Sequence, residues 1–183
     1  MAESKVLGKG KFLQLVRDRS WEFVERTNAR AVVAILAVTA ERRIILTDQF
    51  RPAVGRRVID LPAGLAGDEP GHEDESFASS ALRELFEETG YHAREVTQVA
   101  ECPSSPGLTS EVVTLFLASD LRQTSAGGGV AGEQIDIHTP ALRGIDRWLA
   151  AQVSAGKLID AKVYAGLYFA TRRVRKVTKS RQK

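Results

Sequence analysis

Three carboxylates, Glu84, Glu87 and Glu88, stand at i, i+3 and i+4 in the segment RELFEETG. If this segment is helical, a turn of about 100° per residue places all three on one face. Like charges at that spacing cost an isolated helix a few tenths of a kcal/mol each. A divalent cation held between them reverses the sign. Mg²⁺, or alternatively Mn²⁺, suits an all-oxygen set of this kind, because such ions keep several waters and bridge carboxylates to substrate phosphates. The chemistry on offer is polarisation of a phosphoryl oxygen and activation of an attacking water. Taken alone, an acidic helix face is more often simply solvated, so the flanking residues decide. Arg83 precedes the first of the three, Gly90 follows the last, and Glu75 lies eight residues before Arg83.

The elements that must position this face can be read from pattern. Phe77, Ala81, Leu82 and Leu85 recur with helical spacing, which predicts a helix over Ser76–Thr89 ended by Gly90. Residues 64–75 carry five acids and several Gly and Pro and read as a loop. Upstream, Phe12, Leu13, Leu15 and Val16 form one short strand and Trp21, Phe23 and Val24 another, with Arg17-Asp18-Arg19-Ser20 as the turn. The run Ala31–Val38 is too uniformly apolar for a half-exposed strand and is placed at the centre of a sheet, with residues 44–50 as its hairpin partner. A strand ending at Pro62 follows, then strands near 94–101 and 111–118, a flexible loop at Gly127-Gly128-Gly129, and helices near 141–155 and 158–172. Residues 1–172 read as a single domain, with 173–183 as a basic tail.

Composition narrows the class. The longest apolar run is eight residues, far from the roughly 20 that span a bilayer, and the first ten residues hold no secretory-type apolar stretch. With a single cysteine, Cys102, no internal disulfide framework exists, and a cytoplasmic setting without membrane contact is expected. Seven of the 26 basic residues fall in the last twelve positions, leaving 19 against 23 acidic ones, so the net charge of +3 belongs to the tail. Such a tail attracts acidic partners, but a solvated terminus is the simpler reading and no nucleic-acid partner is expected. His72, His92 and His138 show no zinc spacing.

Glu75, seven intervening residues, Arg83-Glu84, Leu85, Phe86, Glu87-Glu88, Thr89, Gly90 and Tyr91 resemble the Nudix box, G-x5-E-x7-R-E-U-x-E-E-x-G-U, where U is bulky and apolar. One departure stands out. The leading glycine of the box belongs six residues before Glu75, where this chain has Glu69; if Gly64 takes that part, the loop carries a five-residue insertion. The resemblance implies an α/β fold with a mixed sheet sandwiched between helices and N-terminal antiparallel strands. It implies Glu84 and Glu88 as principal metal ligands with Glu87 in support, a backbone carbonyl of Ala63 or Gly64 as a further ligand, and Arg83 orienting Glu75 or a neighbouring carboxylate.

The flanks are similar to the ADP-ribose pyrophosphatase branch. Asp48-Gln49-Phe50-Arg51-Pro52 looks like its substrate-binding stretch, with Arg51 on the phosphates or terminal sugar, and Val58–Gly64 resembles its ELPAG tract with Asp60 for Glu. Ser105-Pro106-Gly107-Leu108-Thr109-Ser110-Glu111 looks like its SPG-x-x-x-E segment, Pro106 standing fifteen residues past Tyr91 and Glu111 facing substrate or beginning a strand. Leu158–Lys162 also matches the branch. The resemblance places a general base on the loop where Glu133 stands, with Asp136 as competitor. In related enzymes the region of Trp21 forms a dimer and can stack on adenine; for this Trp, core or interface packing is the reading, and a homodimer is expected. The implied reaction is hydrolysis of a nucleoside diphosphate sugar, foremost ADP-ribose to AMP and ribose 5-phosphate. A GDP-sugar is the alternative substrate, and a non-catalytic nucleotide sensor the alternative class.

Overall fold

The computed structural model describes residues 4–68, 71, 73–129 and 134–171. Strands β1 (Lys5–Lys9), β2 (Leu13–Asp18) and β3 (Trp21–Arg26) form an antiparallel sheet in that order. The turn between β2 and β3 is shorter than its sequence suggested: Arg17 and Asp18 pair with Glu22 and Trp21, leaving Arg19 and Ser20 to reverse the chain, with Arg19 at φ 55°. β1 carries no apolar alternation to betray it, and all five of its residues are exposed.

The apolar run forms β4 (Ala31–Ala37), and its uniformity has a direct cause. Val32, Ala34 and Leu36 enter one buried cluster while Val33, Ile35 and Ala37 enter another, so both faces of the strand are covered. Then come β5 (Leu46–Arg51), β6 (Arg56–Asp60), β7 (Ala63–Ala66), α1 (Phe77–Thr89), β8 (Tyr91–His92), β9 (Glu95–Pro103) and β10 (Val112–Ser119). The described chain closes with β11 (Arg122–Gln123), β12 (Ile135–His138), α2 (Ile145–Ser154), β13 (Leu158–Ile159) and α3 (Ala161–Ala170). One mixed sheet has the order β7-β4-β10-β9, with β10 parallel to β4; a second has the order β12-β5-β6-β13, with β13 parallel to β6. Ala81 and Leu85 of α1 cover one face of β4, while Ile145 and Leu149 of α2 and Val163 of α3 belong to the core on the other. The architecture is therefore α/β, with mixed sheet between helices.

Several boundaries differ from the sequence reading, each for a physical reason. Residues 44–50 do not form a hairpin with β4. A single bridge, Val38 to Ile44, joins them, after which β5 pairs with β6 and β12 in the other sheet. The strand at 56–60 ends before Pro62, and residues 63–66, read in part as loop, return as β7 against β4. The last helix begins at Ala161 because Leu158 and Ile159 extend the β6 sheet and Asp160 caps the helix. The preceding helix begins at Ile145 rather than near 141 because Leu142 and Ala141 bond back to the 42–43 turn. The glycine run is tied down rather than loose: Gly128 and Gly129 N–H groups donate to the carbonyls of Glu88 and Glu87 at 2.8 and 3.1 Å, satisfying the open C-terminus of α1. Glu133, His72 and the basic tail lie outside the described residues.

Candidate active site

Helix α1 is capped at its start by Ser76, whose hydroxyl accepts the Ser79 N–H, and at its end by Gly90 in the left-handed region at φ 72°. These caps fix the phase of the helix. Leu85 points into the core with no exposure, so Glu84, Glu87 and Glu88 face the space in front of β7 and the Leu61-Pro62-Ala63 turn. A cleft of about 750 Å³ lies there, within the range of small-molecule sites. Its lining includes Ala63, Arg83, Glu84, Glu87 and Glu88 from the helix side, and Arg51, Asp60 and Glu111 from the opposing strands.

Arg83 organises the carboxylates. Its Nη1 donates to Glu84 Oε1 at 3.0 Å and to Glu87 Oε2 at 3.1 Å, and its Nη2 donates to Glu75 Oε1 at 3.0 Å. The second nitrogen also reaches the Leu65 carbonyl at 3.3 Å, joining helix and β7 through one guanidinium. Glu75 lies behind this fork rather than on the cleft wall. Its contact is kept despite the longer loop, on which the Arg30 guanidinium holds the Glu73 carbonyl at 2.6 Å. The Glu84 carboxylate lies against the bare backbone of Gly64: a Cβ there would come within 1.9–2.2 Å of it, so any other residue would displace that carboxylate.

Glu88 is buried, and its Oε2 accepts the Ala63 N–H at 3.0 Å. The Glu84 carboxyl is pushed up to about 7, first by burial; the neighbouring Arg83 opposes the rise, while the charges of Glu87 and Asp68 add to it. Seven Asp and Glu side chains and four Lys and Arg side chains line the cleft, so acidic groups outnumber basic ones there. Its donors are all oxygen. Among the described residues no three His, Cys, Asp or Glu side chains are gathered so that they could hold a metal ion by themselves. An open, charge-deficient carboxylate face fits a hard divalent ion that brings waters or phosphate oxygens with it.

On the opposite wall, Glu111 pairs with Arg26 at 2.8 Å. The Pro106 turn lies outside the cleft lining and carries Glu111 to this position by docking on β3, where the Val24 N–H donates to the Leu108 carbonyl and the Ser110 N–H to the Val24 carbonyl. Arg51 has no carboxylate partner among the described residues, so its charge faces the cleft. Asp60 is 5% exposed, and both its oxygens are engaged: Oδ1 accepts the Leu61 N–H at 2.8 Å and Oδ2 meets Lys162 Nζ at 3.0 Å. Burial raises the Asp60 carboxyl against the pull of Lys162. Burial also works against the charge of Lys162, but Asp60 and Asp160 together outweigh it and raise that ammonium. Asp136 lies outside the cleft lining, paired with Arg57 at 2.5 Å. Trp21 is 60% exposed, which removes core packing as its role within one chain.

Sequence reasoning passed over Arg26 and Asp68 and gave Gln49 and Lys162 no individual role, though both stand in stretches that match the branch; all four line the cleft. Arg26 meets a partner 85 residues away, and no local pattern marks such a pair. Lys162 had a usable signal: it follows Asp160, a residue type that caps helices, where the last helix begins.

Residues 27–151 match the model of the NUDIX domain, and the chain belongs to this family. Among curated proteins it is 40% identical over 130 residues to the ADP-ribose pyrophosphatase of Bacillus subtilis (strain 168), covering 65% of this chain and 68% of that one. It is 34% identical over 169 residues to the ADP-sugar pyrophosphatase of Mus musculus, covering 81% and 72%. It is also 30% identical over 148 residues to a GDP-mannose pyrophosphatase of Escherichia coli O9:H4 (strain HS), covering 75% and 73%. A solved structure of an ADP compounds hydrolase shares the fold, with a TM-score of 0.60 at 18% identity over 79% of this chain and 80% of that one.

Proposed function

We propose that this chain is a divalent-cation-dependent pyrophosphatase of nucleoside diphosphate sugars, with ADP-ribose the leading substrate, cleaved to AMP and ribose 5-phosphate. The observation that carries the reading is the cleft itself. An anionic helix face, short of positive charge, stands opposite an arginine without a carboxylate partner among the described residues. A diphosphate together with a divalent ion complements both walls. The names of the similar proteins point the same way, two of them to ADP compounds as substrate.

Glu84, Glu87 and Glu88, with the carbonyl of Ala63, would hold Mg²⁺ or Mn²⁺. Bound there, the ion supplies Lewis-acid charge to the diphosphate oxygens. The protein's own part is to position. Arg83 keeps Glu84 and Glu87 in place and Glu75 behind them, the Ala63 N–H fixes one oxygen of Glu88, and Arg51 takes the phosphates or terminal sugar. Glu111, steadied by Arg26, borders the substrate. Water attacks phosphorus, the bridging P–O bond breaks, and the proton of the water passes to a base. Glu133 is our assignment for that base, since Asp136 is bound to Arg57 outside the cleft.

Residues 1–172 act as one hydrolase domain, and the exposed apolar side chains of the N-terminal sheet serve a homodimer. The GDP-mannose pyrophosphatase relative favours a GDP-sugar as the second reading. A non-catalytic sensor is disfavoured by the presence of all three helix carboxylates. Product analysis after incubation with Mg²⁺ separates these readings: AMP from ADP-ribose supports the first, preferential GMP release from GDP-mannose the second, and binding without turnover the third.

A further inference from the structure

The bonds around Asp60 run in one direction through the fold. Asp160 is tied to β6 by its N–H, which donates to the Ile59 carbonyl at 2.9 Å, and its side chain caps α3 by accepting the Lys162 N–H at 2.9 Å. The same Asp160 oxygen lies 2.9 Å from Lys162 Nζ, which in turn lies 3.0 Å from Asp60 Oδ2. The other oxygen of Asp60 holds the Leu61 N–H at 2.8 Å. Two residues on, the Ala63 N–H reaches Glu88 Oε2 at 3.0 Å, and between them the Pro62 carbonyl accepts the Ile35 N–H at 2.8 Å. The helix end, the lysine and the aspartate therefore converge on the short turn that faces the helix carboxylates.

Burying an aspartate with a lysine is a poor way to gain stability, because taking both charges out of water offsets much of their attraction. Asp60 has both oxygens occupied by the protein, which leaves it unsuited to hold a sugar or phosphate directly. We infer that Lys162 and Asp60 are a positioning pair: they set the Leu61-Pro62-Ala63 turn from the N-terminus of α3, and through it the placement of the Ala63 backbone against Glu88. The inference rests on the hydrolase reading for its effect on turnover. It assigns Asp60 a role through the backbone in place of substrate contact. Its second element, Lys162, lies about a hundred residues further along the chain, so only the folded arrangement reveals the pair.

The test uses the full chain in four forms: wild type, Lys162→Met, Lys162→Arg and the double variant Asp60→Asn/Lys162→Met. Each is measured for kcat and KM on ADP-ribose with Mg²⁺, and for amide hydrogen exchange at Leu61 and Ala63. Lys162→Met is expected to lower kcat about 10- to 100-fold, the usual effect of removing a group that orients a ligand-bearing element, with KM little changed. Leu61 and Ala63 amides should lose protection while those of β4 and the α1 interior keep theirs. Lys162→Arg, which keeps the charge and the reach, should recover most of the turnover and protection. Should Lys162→Met fail to fold, the double variant leaves no unpaired buried charge and must show the same local loss. Unchanged protection at both amides, or a raised KM with kcat intact, overturns the inference, the latter by marking Lys162 as a substrate contact. A wild-type chain that cleaves no nucleotide sugar defeats the functional reading alone; the exchange data still decide the positioning role.

Discussion

Glu88 is placed to serve structure and, on the proposed reading, chemistry from one carboxyl group. One of its oxygens accepts the Ala63 N–H, and the residue is buried rather than placed on an open helix face, as an isolated helix would suggest. Glu88→Gln keeps an acceptor for that N–H but removes the charge. The expected result is a fall in kcat of about 100-fold or more, or ~2.7 kcal/mol of transition-state stabilisation, with the thermal midpoint almost unchanged. Steady-state rates and a melting curve on the same sample check it, and near-wild-type turnover would remove Glu88 from the metal-binding set. At this scale the sequence was informative about location. The spacing of Glu84, Glu87 and Glu88, with Arg83 before them, named side chains that the fold brings to one cleft. It was silent on bonds made across the chain. Nothing local marks Arg26 as the partner of Glu111, or shows that Asp60 faces a lysine instead of open solvent.

At the scale of elements, the second sheet depends on a junction distant from the chemistry. Asp48, on β5 and 1% exposed, takes Arg57 Nε from β6 at 2.7 Å, Lys157 Nζ from the turn after α2 at 2.6 Å, and His138 Nε2 from β12 at 3.2 Å. Burial works to raise the Asp48 carboxyl, but Lys157, Arg57 and His138 together hold it below its ordinary value. A carboxyl lowered on folding contributes stability above its unfolded pKa of about 3.9. That contribution is lost as the pH falls through the lower folded value. Asp48→Asn is therefore expected to cost about 2 kcal/mol at pH 7, the usual worth of hydrogen bonds to a charged group. The difference should shrink steadily below about pH 4. Urea unfolding of both forms across that range tests the sign, and a difference independent of pH would refute it. The elements themselves were partly legible. β4 and α1 announce themselves because one is buried on both faces and the other is capped at both ends. The partner of β4 was misread because the turn at 39–43 closes only one bridge before β5 diverges to the other sheet, and adjacency in sequence gives no sign of that divergence.

For the whole molecule, two surfaces matter: the cleft and the N-terminal sheet. Phe12, Leu13 and Trp21 are 53%, 46% and 60% exposed, an apolar display that an isolated chain leaves in water. If these residues serve a homodimer, light scattering should return twice the 20.0 kDa chain mass. Trp21→Glu with Leu13→Glu should then reduce it to one chain. A monomeric wild type would remove the dimer from the account and leave the cleft untouched. Among the described residues no helix is long and apolar enough to cross a membrane. Whether the carboxylate face of α1 serves phosphate-bond hydrolysis is decided by incubating the chain with ADP-ribose, with and without Mg²⁺, and separating the products. AMP and ribose 5-phosphate are expected in equal amounts, formed only when the ion is present. A folded protein that releases no nucleoside monophosphate from ADP-ribose, GDP-mannose or any other nucleoside diphosphate sugar would contradict that role.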